Sequence, residues 1–157
     1  MKQASDVPLI REAREEDIRS LVALFAADSI GGHGDTVDES AYPSYLAAFR
    51  RISASPCDSL YVAELGGEIV GTFQTTLTPM VTGRGRLVMT IEAVQTRADM
   101  RGRGIGATMM RAAIKIARQA GAGLVQLSSN RDREAAHRFY ERLGFARSHY
   151  GFKMKLD

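Results

Sequence analysis

The sequence predicts a single α/β domain with a mixed central sheet and helices on both faces. Its length, 157 residues, is that of one domain, here residues 1–157. The spacing of apolar residues is helical near the start and alternates between residues 59 and 96. A strand–helix–strand passage over residues 86–127 then implies two parallel strands joined by a right-handed crossover.

Two helices are predicted in the first third of the chain. Residues 15–27 place Ile18, Leu21, Val22 and Phe25 on one face of a helix. Residues 45–52 form the second helix. The loop between them, residues 28–44, is rich in Gly, Asp and Ser, a composition typical of a surface loop that contacts substrate.

Three strands follow, over residues 59–64, 68–78 and 86–96. Gly66-Gly67 predicts a tight turn between the first two, and Gly83-Arg84-Gly85 predicts a turn before the third. Antiparallel hairpins on this side and a parallel pair beyond it make the predicted sheet mixed.

The last third begins with a Gly/Arg loop over residues 100–106. Ile105, Met109, Ala112, Ile116 and Ala120 predict an amphipathic helix that ends at Gly121-Ala122-Gly123. A short strand over residues 124–127, a helix over 132–143 and one or two closing strands over 145–156 complete the prediction.

The distribution of charge is uneven. Residues 1–96 hold eight Lys/Arg and thirteen Asp/Glu, a net −5, whereas residues 97–157 hold thirteen and five, a net +8. This asymmetry favours an anion site in the second half and a cation-tolerant site in the first, although solvated helix faces would also produce it.

Several classes of protein do not fit the sequence. No nucleic-acid-binding motif is present, and no apolar run is long enough for a membrane helix or a signal peptide. Cys57 is the only cysteine and no histidine pair has metal-ligand spacing, so we expect no metal. The expected protein is soluble and cytoplasmic.

The segment Arg101-Gly102-Arg103-Gly104-Ile105-Gly106 lies between a predicted strand and a predicted helix. This segment suits a pyrophosphate for three reasons. The amides at the start of a helix are free, the glycines let a ligand approach the backbone, and the two Arg side chains add positive charge. The nucleoside triphosphate loop G-x-x-x-x-G-K-[ST] is absent. A dinucleotide site is disfavoured, because the turn is too long and the next strand ends in Ser128-Ser129-Asn130 rather than an acidic residue. Coenzyme A is the third candidate.

Two segments resemble the GNAT superfamily of N-acetyltransferases. Val94-Gln95-Thr96 followed by R-x-x-G-x-G is similar to its central motif, and Ala136-x-x-x-Tyr140-x-x-x-Gly144-Phe145 to its A-x-x-x-Y-x-x-x-G-F segment. The predicted order of elements matches over about residues 8–156. Where the family often has Asn, this chain has Arg133, and the nearest Asn is Asn130.

The resemblance implies a sheet splayed between its two central parallel strands, with pantetheine lying in the gap beside the backbone of Val94 and Thr96. It implies acetyl-CoA as the acyl donor and a homodimer. The implied cofactor contacts are Val94, Gln95, Thr96, Arg101, Gly102, Arg103, Gly104, Ile105, Gly106, Ala107, Thr108 and Asn130.

Three groups are candidates for the chemistry. Tyr140 can protonate the leaving thiolate, because a phenol is protonated at pH 7; a core tyrosine is the alternative. Glu92 is the candidate base, because alternation places it on the Val94 side of an apolar strand, where burial would raise its pKa; a solvated or ion-paired strand residue is the alternative. By resemblance, the N–H of Val94 stabilises the oxyanion.

The predicted function is acetyl-CoA-dependent transfer of an acetyl group to a primary amine of a small molecule, by direct attack on the thioester. Local similarity over residues 130–152 extends to acetyltransferases of small molecules, including aminoalkylphosphonates. The alternatives are another acyl-CoA donor, a protein or peptide amine, a non-catalytic acyl-CoA sensor and a dinucleotide-dependent oxidoreductase.

Overall fold

A computed structural model describes residues 6–30 and 33–156. Gly31 and Gly32, in the predicted acceptor loop, lie outside the described residues. The first half contains β1 (Leu9–Glu12), α1 (Ile18–Ala26), α2 (Tyr42–Ala54), β2 (Asp58–Leu65) and β3 (Glu68–Pro79). The second half contains the short α3 (Thr82–Gly85), β4 (Leu87–Thr96), α4 (Ile105–Gln119), β5 (Leu124–Leu127) and α5 (Glu134–Arg142).

The five strands form one open mixed sheet in the order β1-β2-β3-β4-β5. The first four strands pair antiparallel, and β4 and β5 pair parallel through the α4 crossover. The predicted fold class is therefore confirmed.

The sheet is splayed between β4 and β5. Their pairing begins at Val88 with Leu124 and ends at Ile91 with Leu127. Beyond this point, Glu92, Gln95 and Thr96 of β4 pair with β3 and not with β5. A gap between the two strands thus opens at their carboxyl ends, where α/β sheets generally bind ligands.

Each face of the sheet has its own hydrophobic cluster. On one face, α1 and α2 pack over the sheet around Leu21, Phe49 and Val62. On the other face, α4 packs against Phe73, Met89 and Ile91, with α5 at the margin of this cluster. The helices thus cover both faces, as predicted, and the gap between β4 and β5 lies between two packed layers.

A β-bulge interrupts β4 next to the gap. Thr72 pairs with Gln95 and Gln74 with Glu92, so that the two residues Ala93 and Val94 lie opposite the single residue Phe73. Ala93 has a φ of 52°, a left-handed conformation that costs a residue with a Cβ of order 1–3 kcal/mol. The bulge also shifts the alternation of side chains along the rest of β4.

The main error of the sequence prediction concerns residues 145–156. The structure contains no strand there, and all of residues 146–156 are exposed. Apolar residues alternate in this segment, but no described strand pairs with it to supply hydrogen bonds. The second helix is also longer than predicted, beginning at Tyr42 with Pro43 in its first turn, a position that tolerates proline.

A carboxylate network fixes the start of α1 to the sheet. Asp17 is buried and accepts hydrogen bonds from the Arg11 guanidinium at 2.7 and 3.0 Å and from the Arg14 N–H at 2.7 Å. Arg11 also bonds to Glu64 at 2.7 Å. The hydrogen bonds from Arg11 hold the pKa of Asp17 below its usual 3.8.

We expect Asp17→Ala to destabilise the fold by about 3 kcal/mol, because it leaves the half-buried Arg11 without its main partner. The pKa of Asp17 is lower in the folded chain than in the unfolded chain. The ionised carboxylate therefore adds to the free energy of unfolding above about pH 4, and this contribution is lost as pH falls through the folded pKa. Urea unfolding at pH 7 and pH 3 measures both effects. If the substitution lowers the free energy of unfolding equally at both pH values, the ionised carboxylate does not have this role.

Neither a membrane-spanning helix nor a metal cluster occurs in the part of the chain that the structure describes. In the part of the chain that it describes, no helix has the length and apolar character to cross a membrane. Within those same residues, no group of three or more His, Cys, Asp or Glu side chains is placed to hold a metal ion.

Candidate active site

The Gly/Arg loop leads directly into α4. Gly102 and Gly104 have φ values of 76° and 80°, a conformation that glycine adopts without strain. Gly104 is the N-cap of α4 and supplies no side-chain hydrogen bond to it. The first N–H groups of this 15-residue helix are therefore available to an anion, and Arg101 and Arg103 are exposed beside them.

The loop has room for the pyrophosphate of coenzyme A. A Cβ added at Gly102 or Gly104 would meet no atom within 4 Å, so the space above both residues is open. Gly106 differs, because a Cβ there would lie 3.3 Å from the ring of Phe139 on α5. Ile105 is buried, and Ala107 and Thr108 are half-buried. Only the exposed part of the loop thus faces open space, and Gly106 allows α4 and α5 to pack closely.

A cavity of about 810 Å³ lies beside the ends of α1 and β4. Ala23 of α1 and Ala27, the residue after this helix, line it together with Gln95, Thr96 and Arg101. The structure thus brings the end of the predicted strand motif and the first residue of the predicted loop to one cavity.

Tyr140 packs at the margin of the α4 cluster. Its ring lies 5.2 Å from that of Phe139 and 5.9 Å, edge to face, from that of Phe145. Burial raises the pKa of Tyr140 above its ordinary 10.0, and the charge of Arg133 opposes the shift. Within the described ranges no hydrogen bond to another residue occupies its hydroxyl. Tyr140 is thus protonated at neutral pH, with its hydroxyl free to act.

Glu92 does not lie where alternation placed it. Its side chain is exposed, so the burial that we expected is absent. Glu92 pairs with Gln74, which faces α2, whereas Val94 packs against the α4 cluster. The expectation that Glu92 and Val94 share a face is wrong, because the bulge at Ala93 shifts the alternation by one residue.

A cleft of about 410 Å³ lies on the α2 face, beside Gln74, the strand partner of Glu92. Gln74 lines it together with Asp58 of β2, and α2 and the residue after it complete the lining through Ala48, Arg51, Ile52 and Ser55. Hydrogen bonds from Ser55 and Thr76, at 2.7 and 2.6 Å, lower the pKa of Asp58. Asp58 therefore stays charged, but both its oxygens already accept bonds.

Asn130 forms part of the turn that leads into α5. Its side-chain oxygen accepts the N–H of Asp132 at 2.9 Å, and its carbonyl oxygen is 2.8 Å from Nε2 of His137. The side-chain oxygen of Asn130 thus has a structural role in the turn, while its amide group remains available to a ligand.

One contact at the site could not be identified from the sequence. Arg133 forms an ion pair with Asp28, which joins the N-cap of α5 to the end of α1. The two residues are 105 positions apart, so no local pattern could have paired them. The contact links the helix layers on the two faces of the sheet.

The carboxylates in and beside the predicted loop of residues 28–44 are less available to a substrate than the sequence suggested. We expected Asp28, Asp35, Asp38 and Glu39 to attract a protonated amine. Asp28 instead pairs with Arg133, Asp35 accepts the Tyr45 hydroxyl at 2.9 Å, and Glu39 accepts Arg19 at 2.6 Å. The charge of all four carboxylates still contributes to the local field, but Asp28, Asp35 and Glu39 already have partners.

The sequence matches the Acetyltransferase (GNAT) family over residues 18–145. This match covers most of the chain and includes the splayed strands, the Gly/Arg loop and Tyr140. The chain is a member of the GNAT acetyltransferase family. Members of this family generally use acetyl-CoA as the acyl donor, and the open loop at the start of α4 fits its pyrophosphate.

Individual relatives support the assignment of this GNAT chain. The aminoalkylphosphonate N-acetyltransferase of Salmonella typhimurium is 31% identical over 147 residues, which cover 94% of this chain and 90% of the relative. A crystal structure of a transcriptional regulator from Bacillus halodurans C-125 superposes with a TM-score of 0.91 at 40% identity, covering 95% of this chain and 99% of the other. An acetyltransferase from Trypanosoma brucei superposes at 0.75 with 25% identity, covering 95% and 99%.

Proposed function

We propose that this acetyltransferase transfers the acetyl group of acetyl-CoA to a primary amine of a small molecule by direct attack on the thioester. The observation that carries the proposal is the placement of Tyr140 and Glu92 on the two faces of the sheet. Tyr140 packs, like Val94, against the α4 cluster, and Glu92 pairs with Gln74, which lines the α2 cleft. A proton acceptor for the incoming amine and a proton donor for the leaving thiolate are thus on opposite faces of the splayed sheet.

Binding of acetyl-CoA is supported by the loop and the gap. Arg101, Arg103 and the free amides at the start of α4 would hold the pyrophosphate. Beyond Ile91 the backbone of β4 has no partner on the β5 side, so an extended pantetheine can pair there as an added strand would. The thioester would then reach the bulge at Ala93 and Val94.

The bulge supports a role in stabilising the oxyanion. Ala93 and Val94 have no partner in the strand pairings of the described sheet. The N–H of Val94 is therefore a candidate donor to the oxyanion, and such a donor is worth about 10² to 10³ in rate. The positive φ of Ala93 sets the direction of this peptide before substrate binds.

The chemical step requires two protons to leave the nitrogen and one to reach the sulfur. Glu92, directly or through a water chain, accepts one proton of the ammonium, and the free amine attacks the carbonyl carbon. The new C–N bond forms, the C–S bond breaks and Tyr140 protonates the thiolate. The nitrogen then loses its second proton to the Tyr140 phenolate, which leaves a neutral amide and restores the phenol. Because the amine attacks the thioester itself, initial rates should show intersecting patterns for the two substrates; parallel patterns would indicate a covalent enzyme intermediate.

The small-molecule acceptor is supported by the cleft and by one relative. The α2 cleft, about 410 Å³, suits a small ligand and carries both Arg51 and Asp58 on its walls. The Salmonella relative is named for aminoalkylphosphonates, which are small amines with an anionic group. We therefore propose a small primary amine, with zwitterionic aminoalkyl compounds as the first candidates to test.

Glu92→Gln tests the proposed base. We expect turnover to fall by about 10²-fold at neutral pH, because the ammonium then loses its proton acceptor. The loss should shrink as pH approaches the pKa of the amine, where the free base is abundant. The pH–rate profile on the best acceptor measures this, with the exposed Glu12→Gln as the matched control. Parallel profiles of equal rate would remove Glu92 from the mechanism.

A further inference from the structure

The floor of the α2 cleft continues as a polar strip across the sheet toward the gap. Gln74 of β3, which lines the cleft, pairs with Glu92 of β4, and side chains of directly paired residues lie on one face of a sheet. Thr76 pairs with Thr90, whose hydroxyl accepts a hydrogen bond from the Gln126 amide at 3.1 Å. All five side chains are half-buried or exposed, so a polar and accessible surface leads from α2 to the proposed base.

The α2 wall of this cleft carries a guanidinium without a counter-ion among the described residues. Arg51 lines the cleft and is exposed, and within the described ranges no ion pair or side-chain hydrogen bond engages it. The preceding residue differs, because the Arg50 guanidinium bonds to Glu15 at 2.8 and 3.1 Å. A guanidinium has five N–H donors, and those of Arg51 are therefore available to an anion in the cleft.

The carboxylate inside the cleft does not neutralise Arg51. One oxygen of Asp58 accepts the Ser55 hydroxyl at 2.7 Å, and the other accepts the Thr76 hydroxyl at 2.6 Å. Asp58 forms no ion pair with Arg51 in the described structure. The cleft thus offers a cation on its α2 wall and the Glu92 carboxylate one strand away from its floor. This arrangement is complementary to a small molecule with an acidic group at one end and an ammonium at the other.

We propose that Arg51 binds an acidic group of the acceptor, so that the preferred acceptors are small primary amines that carry a phosphonate, phosphate or carboxylate. This inference rests on the proposed function and adds the residue that determines specificity. A guanidinium matches the oxygens of such groups and binds two of them at once. With the acidic group held at Arg51, the amine end points along the polar strip toward Gln74 and Glu92, where the proposed base accepts its proton. A neutral amine lacks this anchor.

Matched amines and adjacent substitutions test the anchor through acetylation rates. 2-Aminoethylphosphonate and β-alanine carry an acidic group where propylamine has a methyl group. Arg51→Ala should lower kcat/KM for the two acidic amines by about 10- to 100-fold, mainly through KM, because a charge-assisted hydrogen bond is lost. The rate with propylamine should not change, and Arg51→Lys should restore part of the loss. Arg50→Ala, which removes the adjacent exposed arginine, should leave all three amines unaffected.

Binding without turnover separates the anchor from the chemistry. Calorimetry with the protein saturated by coenzyme A measures the affinity for each amine when no acetyl group is present. The wild-type protein should bind 2-aminoethylphosphonate at least about 10-fold more tightly than propylamine, and Arg51→Ala should abolish this preference. Equal affinities in the wild type, binding of neither amine, or a preference that survives Arg51→Ala would overturn the assignment. If no amine is acetylated, the proposed function fails, and the binding comparison still decides the role of Arg51.

Discussion

Tyr140→Phe should lower turnover by about 10² to 10⁴ while leaving the affinity for acetyl-CoA nearly unchanged. The substitution keeps the ring packed against Phe139 and Phe145 and removes only the hydroxyl, for which the structure describes no hydrogen-bond partner. Steady-state rates and titration calorimetry separate the two effects. Tyr150→Phe is the matched control, because it removes a hydroxyl from an exposed tyrosine.

The pH dependence gives a second test of Tyr140. A general acid must be protonated, and burial raises the pKa of Tyr140 above 10.0. Activity that depends on this proton should therefore persist up to about pH 10 and fall only above it. Near-normal turnover of Tyr140→Phe would return this residue to a purely structural role.

Replacing both Arg101 and Arg103 by Ala should weaken acetyl-CoA binding by about 10² or more. Each Arg that bonds to a charged phosphate oxygen contributes about 1.5–3 kcal/mol to the free energy of binding. The loss of both bonds therefore corresponds to a weakening of about 10² or more. Both side chains are exposed, so the fold should persist. Arg118→Ala removes an exposed Arg at the end of α4 that is far from the loop, and it should leave the affinity unchanged.

Arg substitutions test the loop more cleanly than Gly substitutions. A side chain at Gly104 would be strained at its φ of 80°, and one at Gly106 would crowd Phe139. Either change could therefore weaken binding through the fold. Unchanged affinity in the folded double Arg variant would place the pyrophosphate elsewhere.

Periodicity and turn residues were sufficient to predict most of the fold. The helix from Ile105, the hairpin turn at Gly66-Gly67 and the short strand after Gly123 are close to their predicted positions. These features depend on local sequence, because side-chain spacing and backbone preferences determine them. The crossover rule then placed β4 and β5 side by side.

The errors arose where distant residues decide the outcome. The bulge at Ala93 depends on the register between β3 and β4, and no Gly marks it in the sequence. Strict alternation therefore assigned Glu92 to the wrong face. The pairing of Asp28 with Arg133 connects residues far apart in the chain. Residues 146–156 have the pattern of a strand but no described neighbouring strand, and sequence pattern alone cannot supply a partner.

A screen of amines with acetyl-CoA tests the central claim most directly. The panel should contain aminoalkylphosphonates, other small primary amines and peptides with free amino termini, with release of coenzyme A and the mass of the product as readouts. The account predicts stoichiometric release of coenzyme A and an N-acetylated small amine, lost in Tyr140→Phe. Tight binding of acetyl-CoA without release, or acetylation of peptides alone, would contradict it.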